Sequence, residues 1–352
     1  MPEMNRQHPL VSRLHGTVSV LLPVVLALTV GAILLLALGK DPIAYYGYVI
    51  RRGLLSPTGL EASLTRTAPL LLIAAGLIVA FRSGLWNLGV DGQLLLAAVV
   101  TAALAPELAD RLPSVLVIAV CFAVAMAVGA AWSLIPALLK AQFGVNEIIS
   151  TLMMSFLGVS LANVLIKIPF NDPLTTVPQT ATLAVEDRLS RLADTTIHWG
   201  VLLALVVVVA VHHAMTMTAL GMRLQIVGAN MRTAVHAGLR LRLLVIVAFA
   251  ISAGLAGLAG AVDVLGVHGT IRADWNPAYG IVVIPLVFLA RFNGYAVIAF
   301  VFVFAVLVIG GESAARRLDV PTYFVLVLVG LVMLFLAITE FMDHRRRLTA
   351  RD

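Results

Sequence analysis

The residues of this chain that could do chemistry are a few polar side chains set among long apolar runs. The densest group lies between residues 81 and 93 and consists of Trp86, Asn87, Asp91 and Gln93. These side chains can hydrogen-bond an uncharged polar molecule, but their spacing matches no catalytic or metal-binding motif. The chemistry that they favour is therefore recognition of a solute.

The backbone around this polar group is predicted to be irregular. Three glycines interrupt it, and the apolar runs on either side, 69–81 and 94–105, are short. Thirteen helical residues cover about 20 Å, whereas the hydrocarbon core of a bilayer is about 30 Å thick. Irregular backbone at that depth is tolerated where it lines a cavity or is buried in protein. We expect this segment to line a passage, with a plain turn between helices as the alternative.

A second segment of similar character covers residues 267–280. It contains another Trp-Asn pair, Trp275-Asn276, ahead of another short apolar run. Short, Gly- or Pro-interrupted spans at corresponding places in two halves point to inverted repeats around a central pathway. The alternative is that Trp275 and Tyr279 are aromatic anchors at the membrane interface.

A third segment, 220–239, has the signals of a short helix. Asn230 is a good N-cap and Gly238 a good residue to follow the C-terminus, which predicts a helix over 231–237. Two helical turns are unstable alone in water, so this helix needs a surface to pack against. That surface is either the chain itself or a partner protein.

The sequence shows no means of powering transport. None of the three lysines follows a phosphate-binding loop, and Asp91 and Asp263 are the only acids near membrane depth. No H-E-x-x-H, G-x-S-x-G or paired-carboxylate motif is present, and His212-His213 is not expected to bind a metal. An ion-coupled carrier or channel acting alone is therefore the less favoured class.

Composition identifies the elements that must position these groups. Of 352 residues, 61% are hydrophobic and 12% are charged, about half the charged fraction of a soluble domain. The net charge of +6 comes from basic residues in short segments between or beside the apolar runs, which is typical of a membrane protein and not of a nucleic-acid binder. The chain is predicted to be an all-α, polytopic protein of the lipid bilayer.

About ten transmembrane helices are predicted, with nine to eleven allowed by hydropathy. The predicted spans lie at 17–39, 67–82, 92–106, 114–136, 146–166, 200–219, 243–265, 279–291, 295–312 and 322–341. They form one domain, 1–352, with an inverted repeat of helices 2–5 and 7–10. An insert at 167–199, containing a short amphipathic helix over 185–192, lies outside the membrane, and a cytoplasmic segment covers 220–242.

The distribution of basic residues predicts the orientation. With ten spans and a cytoplasmic N-terminus, the C-terminus is also cytoplasmic. Four basic residues near the C-terminus agree with that placement: Arg345, Arg346, Arg347 and Arg351.

Three motifs, in order along the chain, resemble those of bacterial ABC importer permeases for nucleosides and simple sugars, within the branched-chain amino acid/ribose-like permease superfamily. Residues 84–93, GLWNLGVDGQ, resemble that family's GLFNIG(A/V)EGQ, with Asp91 in place of the usual glutamate. Residues 144–147, GVNE, resemble the start of one of its spans. Residues 227–238 resemble its cytoplasmic coupling segment, with Met231 where proline is common.

The resemblance implies a transporter made of several different chains. ATP and Mg²⁺ would bind a separate cytoplasmic ATPase, and this chain would hold no cofactor. A second permease chain, related but not identical, would complete the pathway, and an extracytoplasmic solute-binding protein would deliver the solute. The chain would be a multi-pass protein of a bacterial inner membrane that takes up nucleosides or similar small polar solutes by alternating access, with simple sugars as the alternative.

Site residues follow from the motifs. The ATPase-coupling residues would be Gly228, Ala229, Asn230, Arg232, Ala234, His236, Ala237 and Gly238. The pathway candidates are Trp86, Asn87, Asp91 and Gln93, followed by Asn146, Glu147 and Asn163.

Overall fold

The structure, a computed structural model, describes residues 9–321 and 323–349 and is built from helices. These are α1 (Pro9–Ala37), α2 (Pro42–Ile50), α3 (Pro57–Arg82), α4 (Val90–Ala109), α5 (Ser114–Phe143), α6 (Glu147–Lys167), α7 (Gly200–Met217), α8 (Ala219–Ala229), α9 (Met231–His236), α10 (Leu241–Asp263), α11 (Tyr279–Leu289), α12 (Gly294–Leu318) and α13 (Phe324–Thr349). One π-helical turn follows α2 at Arg51–Leu55, and another follows α10 at Val264–His268.

The predicted all-α, polytopic membrane fold is confirmed. Within the described ranges, seven helices are long and apolar enough to cross a membrane, and three shorter apolar helices lie at Leu22–Ala37, Tyr279–Leu289 and Phe324–Thr339. Together they correspond to the ten predicted spans. The second span begins earlier than its apolar run, at Pro57, because a polar N-terminal part of α3 continues the same helix.

Two compact units are present. One comprises residues 61–305 and the other the described parts of 1–60 and 306–352. In the latter, Tyr45 and Phe324 pack edge to face at 5.3 Å within a buried cluster. An ion pair between Lys40 and Asp319 joins the same unit at 3.3 Å.

The unit of residues 61–305 contains every predicted site residue. Helix α10 packs against α4 and α5 through small residues, among them Ala253, Ala256 and Gly257, which are buried. Small side chains let helix backbones approach closely, as membrane helix bundles require. This packing leaves the middle of α10 in contact with the polar segment that precedes α4.

The insert at 167–199 differs from its prediction. The expected helix over 185–192 is wrong: only Val185–Asp187 forms a single 3-10 turn. The reason is that its backbone bonds elsewhere, because Leu183 N–H donates to Gly269 O and Leu189 N–H to Leu265 O, both at 2.9 Å. Leu183 and Leu189 are themselves buried, so the insert is fixed against the chain that follows α10.

The predicted orientation depends partly on basic residues near the C-terminus. Arg351 lies beyond the described residues, and the side chains of Arg345, Arg346 and Arg347 are not among those described. The placement of both termini in the cytoplasm therefore stays a prediction. The end of the 61–305 unit that carries α8 and α9 is called the coupling end, and the end that carries residues 167–199 the insert end.

Candidate solute pathway and coupling site

The polar segment before α4 re-enters the helix bundle. Helix α3 ends at Arg82, and residues 83–89 then run back in a turn followed by extended chain. The Asn87 side-chain amide donates to the Ser252 hydroxyl at 3.0 Å, and Ser252 lies near the middle of the 23-residue helix α10. Irregular backbone thus reaches the interior, where it is enclosed by protein, and is not a plain turn between helices. That it lines a passage stays a prediction.

A second re-entrant segment runs in the opposite direction. Helix α10 ends at Asp263 near the insert end, and irregular chain then returns to the start of α11 at Tyr279. Helix α11 leads to the coupling end, where Phe288 stacks on Trp86 with ring centroids 5.4 Å apart. The two segments have the antiparallel relationship that an inverted repeat requires. The repeat of helices 2–5 and 7–10 as a whole stays a prediction.

The two re-entrant segments meet at Asp91. Its Oδ1 accepts a 2.7 Å hydrogen bond from the backbone N–H of Gly280, and Asp91 and Gly280 lie in the first turns of α4 and α11. A helix N-terminus has unpaired N–H groups and a partial positive charge, so a carboxylate is stabilised there. One acidic side chain therefore joins the starts of both helices.

A buried polar network adjoins this junction. The Tyr279 hydroxyl accepts from Arg66 Nη1 and donates to Asp263 Oδ2 at 3.2 Å. His268 Nε2 lies 3.8 Å from Asp263 Oδ1. Tyr279 is only 5% exposed, so the interpretation of this residue as an interfacial anchor is wrong. The sequence placed Asp263 near membrane depth but indicated neither its partners nor Arg66.

The amides of Asn87 and Gln93 are bonded to each other. Asn87 Nδ2 donates to Gln93 Oε1 at 3.0 Å, and Gln93 Nε2 donates to Asn87 Oδ1 at 3.1 Å. Both residues are buried, with 0% and 1% of their surface exposed. Buried amides paired in this way fix the shape of the extended segment. A direct role for either residue in contacting solute stays a prediction.

The second group of pathway candidates is divided between the two ends of α6. Asn146 caps the helix by accepting from Ile148 N–H at 2.9 Å, and Glu147 forms a 2.7 Å ion pair with Lys140. At the other end, Asn163 accepts from the backbone N–H of Asp274 at 2.6 Å. These three residues are not brought together, and Asn163 instead holds the second re-entrant segment.

Aromatic side chains cluster at the coupling end of the pathway. Phe81 lies 5.1 Å from Trp86 and 5.0 Å from Phe288, measured between ring centroids. Phe292 packs on Phe288 at 5.2 Å. The four rings come from both re-entrant segments or their flanks, so they pack the two segments against each other. Only Trp86 was expected here, since nothing local in the sequence links positions 81 and 288.

The coupling segment has the predicted short helix. Asn230 accepts from Arg232 N–H at 2.9 Å and from Thr233 N–H at 3.2 Å, which begins α9, and Gly238 follows the helix with a φ of 74°. The preceding helix α8 was not predicted. Ala234 is fully buried in a cluster that includes Phe249, so the surface that α9 presents consists of other residues: Arg232, Thr233, Val235 and His236.

The coupling segment touches the first re-entrant segment through two glycines. A Cβ on Gly84 would lie 2.9 Å from Gly228 Cα, and a Cβ on Gly228 would lie 2.2 Å from the Arg82 carbonyl oxygen. Gly84 also has a φ of 69°, which residues with side chains rarely adopt. The backbone of α8 is thereby joined directly to the chain that leads to Asp91.

Comparison with known proteins identifies the family of this chain. Residues 59–337 match the family described as branched-chain amino acid transport system / permease component. The chain belongs to this permease family. No solved structure matches the permease.

The permease is similar to three named transport proteins. It is 34% identical over 336 residues to the glucose ABC transporter permease protein of Haloferax volcanii, covering 92% of this chain and 88% of that one. It is 27% identical over 335 residues to the guanosine ABC transporter permease protein of Bacillus subtilis, covering 93% and 95%. It is 29% identical over 251 residues to the nucleoside ABC transporter permease protein of Lactococcus lactis, covering 69% of each.

These similarities confirm the prediction of an ABC importer permease subunit. The permease is a multi-pass membrane protein that works within a transporter complex. In that setting the two re-entrant segments and the helices α8 and α9 are candidates for the moving parts of transport.

Proposed function

We propose that the permease takes up nucleosides or related small polar solutes by alternating access, driven by ATP hydrolysis on a separate ATPase. The observation that carries the proposal is the meeting of two opposed re-entrant segments at Asp91, with one of them in backbone contact with the coupling segment at Gly228. Helix N-termini that meet inside a bundle are a recurrent element of transport sites.

The mechanism starts at the coupling end. Closure of the ATPase would press on residues 228–238, and the contact between Gly228 and Gly84 would pass that movement to residues 83–89. Because these residues lead into α4, the movement would act on the hydrogen bond between Asp91 and Gly280 and on the packing of Trp86 with Phe288. The bundle would tilt, closing the pathway on one side and opening it on the other.

The complex has four kinds of component in this proposal. The ATPase holds ATP and Mg²⁺, and a second permease chain, related but not identical, completes the pathway. An extracytoplasmic solute-binding protein delivers solute to the insert end. The permease lies in a bacterial inner membrane with both termini and the coupling end in the cytoplasm.

The solute class is supported by relatives and by the polar groups of the pathway. Two of the named relatives transport nucleosides or guanosine. Within the polar segment before α4, Asp91 and Trp86 are the predicted pathway residues that keep exposed surface, and they can offer a hydrogen-bond acceptor and an aromatic face. Simple sugars are the second candidate, because the relative with 34% identity is a glucose permease.

Uptake by the complete transporter tests this proposal. Cells that express the permease with its ATPase, second permease and binding protein should accumulate labelled guanosine or uridine, and the uptake should stop when the ATPase is inactivated. Accumulation of labelled glucose alone would favour the sugar alternative. Uptake by the purified permease alone, driven by an ion gradient, would overturn the proposal.

A further inference from the structure

A cavity of about 290 Å³ opens at the insert end of the 61–305 unit. It is lined by His268, Thr270, Ile271, Arg272 and Trp275, all from the second re-entrant segment. Its volume is at the lower end of the range for pockets that hold small molecules. The cavity lies on the side of the bundle opposite the coupling segment, where a solute from outside would arrive in the proposed function.

The cavity wall combines an aromatic face with hydrogen-bond donors. The ring of His268 packs on Trp275 at a centroid distance of 5.1 Å and an angle of 68°, so the indole is held by the edge of another ring. Trp275 is half-buried and Arg272 is exposed. Among the described residues, the Arg272 guanidinium has no hydrogen-bond or ion-pair partner, so its donors are available to a ligand.

The wall is held in place from outside by the insert. Thr180 N–H donates to Ile271 O at 3.0 Å, and Ile271 N–H donates to the Thr180 hydroxyl at 3.1 Å. The Thr270 hydroxyl donates to Thr180 O at 2.7 Å, and Gln179 pairs with Arg272 in an isolated β-bridge. A site fixed before the ligand arrives loses less entropy on binding.

The cavity is also continuous with the polar network inside the bundle. His268 lines the cavity and lies 3.8 Å from Asp263, whose other oxygen accepts from Tyr279. The residue after Tyr279, Gly280, donates its backbone N–H to Asp91 where the starts of α4 and α11 meet. Polar groups therefore extend from the cavity to the meeting point of the re-entrant segments.

From these observations we infer that the cavity is the site where the permease receives its solute, and that it binds the base of a nucleoside between the Trp275 ring and the Arg272 guanidinium. A planar base stacks on an aromatic side chain, and a guanidinium donates to the acceptors on the edge of a purine. This inference rests on the proposed function, because it specifies which part of a nucleoside is recognised.

Photolabelling of the complete transporter tests the inference directly. During ATP-driven turnover with 8-azidoguanosine, the label should appear in the peptide that carries residues 268–275 and should be displaced by excess guanosine. Trp275→Ala should reduce labelling roughly five- to 150-fold, the range expected for loss of one base–aromatic stack. Trp275→Phe should retain most of it, and Arg272→Gln should reduce it.

Trp199→Ala is the matched control. Trp199 is 49% exposed at the start of α7, also at the insert end, and is not part of the cavity wall. Its replacement should leave labelling unchanged. If Trp275→Ala does not assemble with the ATPase, Arg272→Gln and Trp275→Phe are compared instead. The inference then requires that Arg272→Gln reduces labelling and that Trp275→Phe retains most of it.

The outcomes separate the inference from the function on which it rests. Suppose that the wild-type transporter takes up guanosine. The inference alone is then overturned if the label appears elsewhere or not at all, or if Trp275→Ala and Arg272→Gln leave the labelling unreduced. Wild-type transporter that takes up no nucleoside overturns the proposed function, and in that case wild type and variants fail alike.

Discussion

Gly84 and Gly228 bring two backbones into direct contact, one from the re-entrant segment before α4 and the other from helix α8. A Cβ on Gly84 would lie 2.9 Å from Gly228 Cα, and one on Gly228 would lie 2.2 Å from the Arg82 carbonyl oxygen. Two backbones in direct contact can move little relative to each other, because no flexible side chain lies between them. Movement of α8 must therefore displace residues 83–89.

Gly228→Ala is expected to separate ATP hydrolysis from transport. The added methyl group must push α8 away from Arg82, so solute uptake should fall at least about tenfold while the ATPase stays bound and active, since about 1.4 kcal/mol corresponds to a factor of ten. Uptake and ATP hydrolysis by the same reconstituted transporter measure this. Gly47→Ala is the control, because no atom lies within 4 Å of its added Cβ. Unchanged coupling in Gly228→Ala would contradict this route.

Solute uptake should depend on the acceptor oxygens of Asp91. Asp91→Leu leaves the Gly280 N–H without its partner, which costs about 1–3 kcal/mol for a buried donor, and uptake should be lost. Asp91→Asn keeps an oxygen at that position and should retain part of the activity. Uptake rates and the thermal stability of the purified permease distinguish these cases. Equal uptake by Asp91→Leu and wild type would remove the junction from the mechanism.

Asn87→Leu is expected to destabilise the permease as a whole. The change removes the partner of Gln93 and one partner of Ser252, all buried, so we expect a loss of about 1–3 kcal/mol in stability. The melting temperature of the purified permease in detergent should fall, and Ser252→Ala should lower it less. If Asn87→Leu instead keeps the wild-type melting temperature and abolishes uptake, Asn87 contacts solute.

The coupling helix offers a pair of adjacent residues with opposite environments. Val235 is 56% exposed and Ala234 fully buried, so Val235→Asp should prevent the ATPase from co-purifying while the permease stays folded. Ala234→Asp places a charge in an apolar cluster and should destabilise the permease itself. Leu174→Asp, on the insert, is the control for an added surface charge. Retention of the ATPase by Val235→Asp would exclude this face of α9 as its docking surface.

The sequence predicted those features of the fold and site that depend on neighbouring residues, but not those that depend on contacts between distant ones. The capping of α9 by Asn230 and its termination at Gly238 follow from neighbouring residues, and the structure confirms both. The irregular backbone around Trp86 followed from short apolar runs. In contrast, the bond between Asp91 and Gly280 joins positions 189 apart, and neither residue type indicates the other. The burial of Ala234 depends in the same way on packing between distant helices.

The insert supplies the remaining prediction, because its stability should depend on pH through His198. This residue is 1% exposed, and its Nδ1 accepts a 3.1 Å hydrogen bond from Gly200 N–H. Burial lowers the pKa of His198 from 6.5 to about 4, so the folded insert holds it neutral at pH 7. Below pH 6.5 His198 binds a proton in the unfolded chain but not in the folded chain. The free energy of unfolding therefore falls as the pH drops toward 4.

The loss should reach up to about 3 kcal/mol near pH 4, since each unit of pKa difference is worth about 1.4 kcal/mol. Thermal unfolding of the detergent-solubilised permease at pH 7.5 and pH 5 measures it. His198→Gln has no titrating ring, so its melting temperature should change less between the two values. The difference between wild type and His198→Gln isolates this residue from every other titrating group. Parallel behaviour of the two proteins would show that His198 does not set the pH dependence.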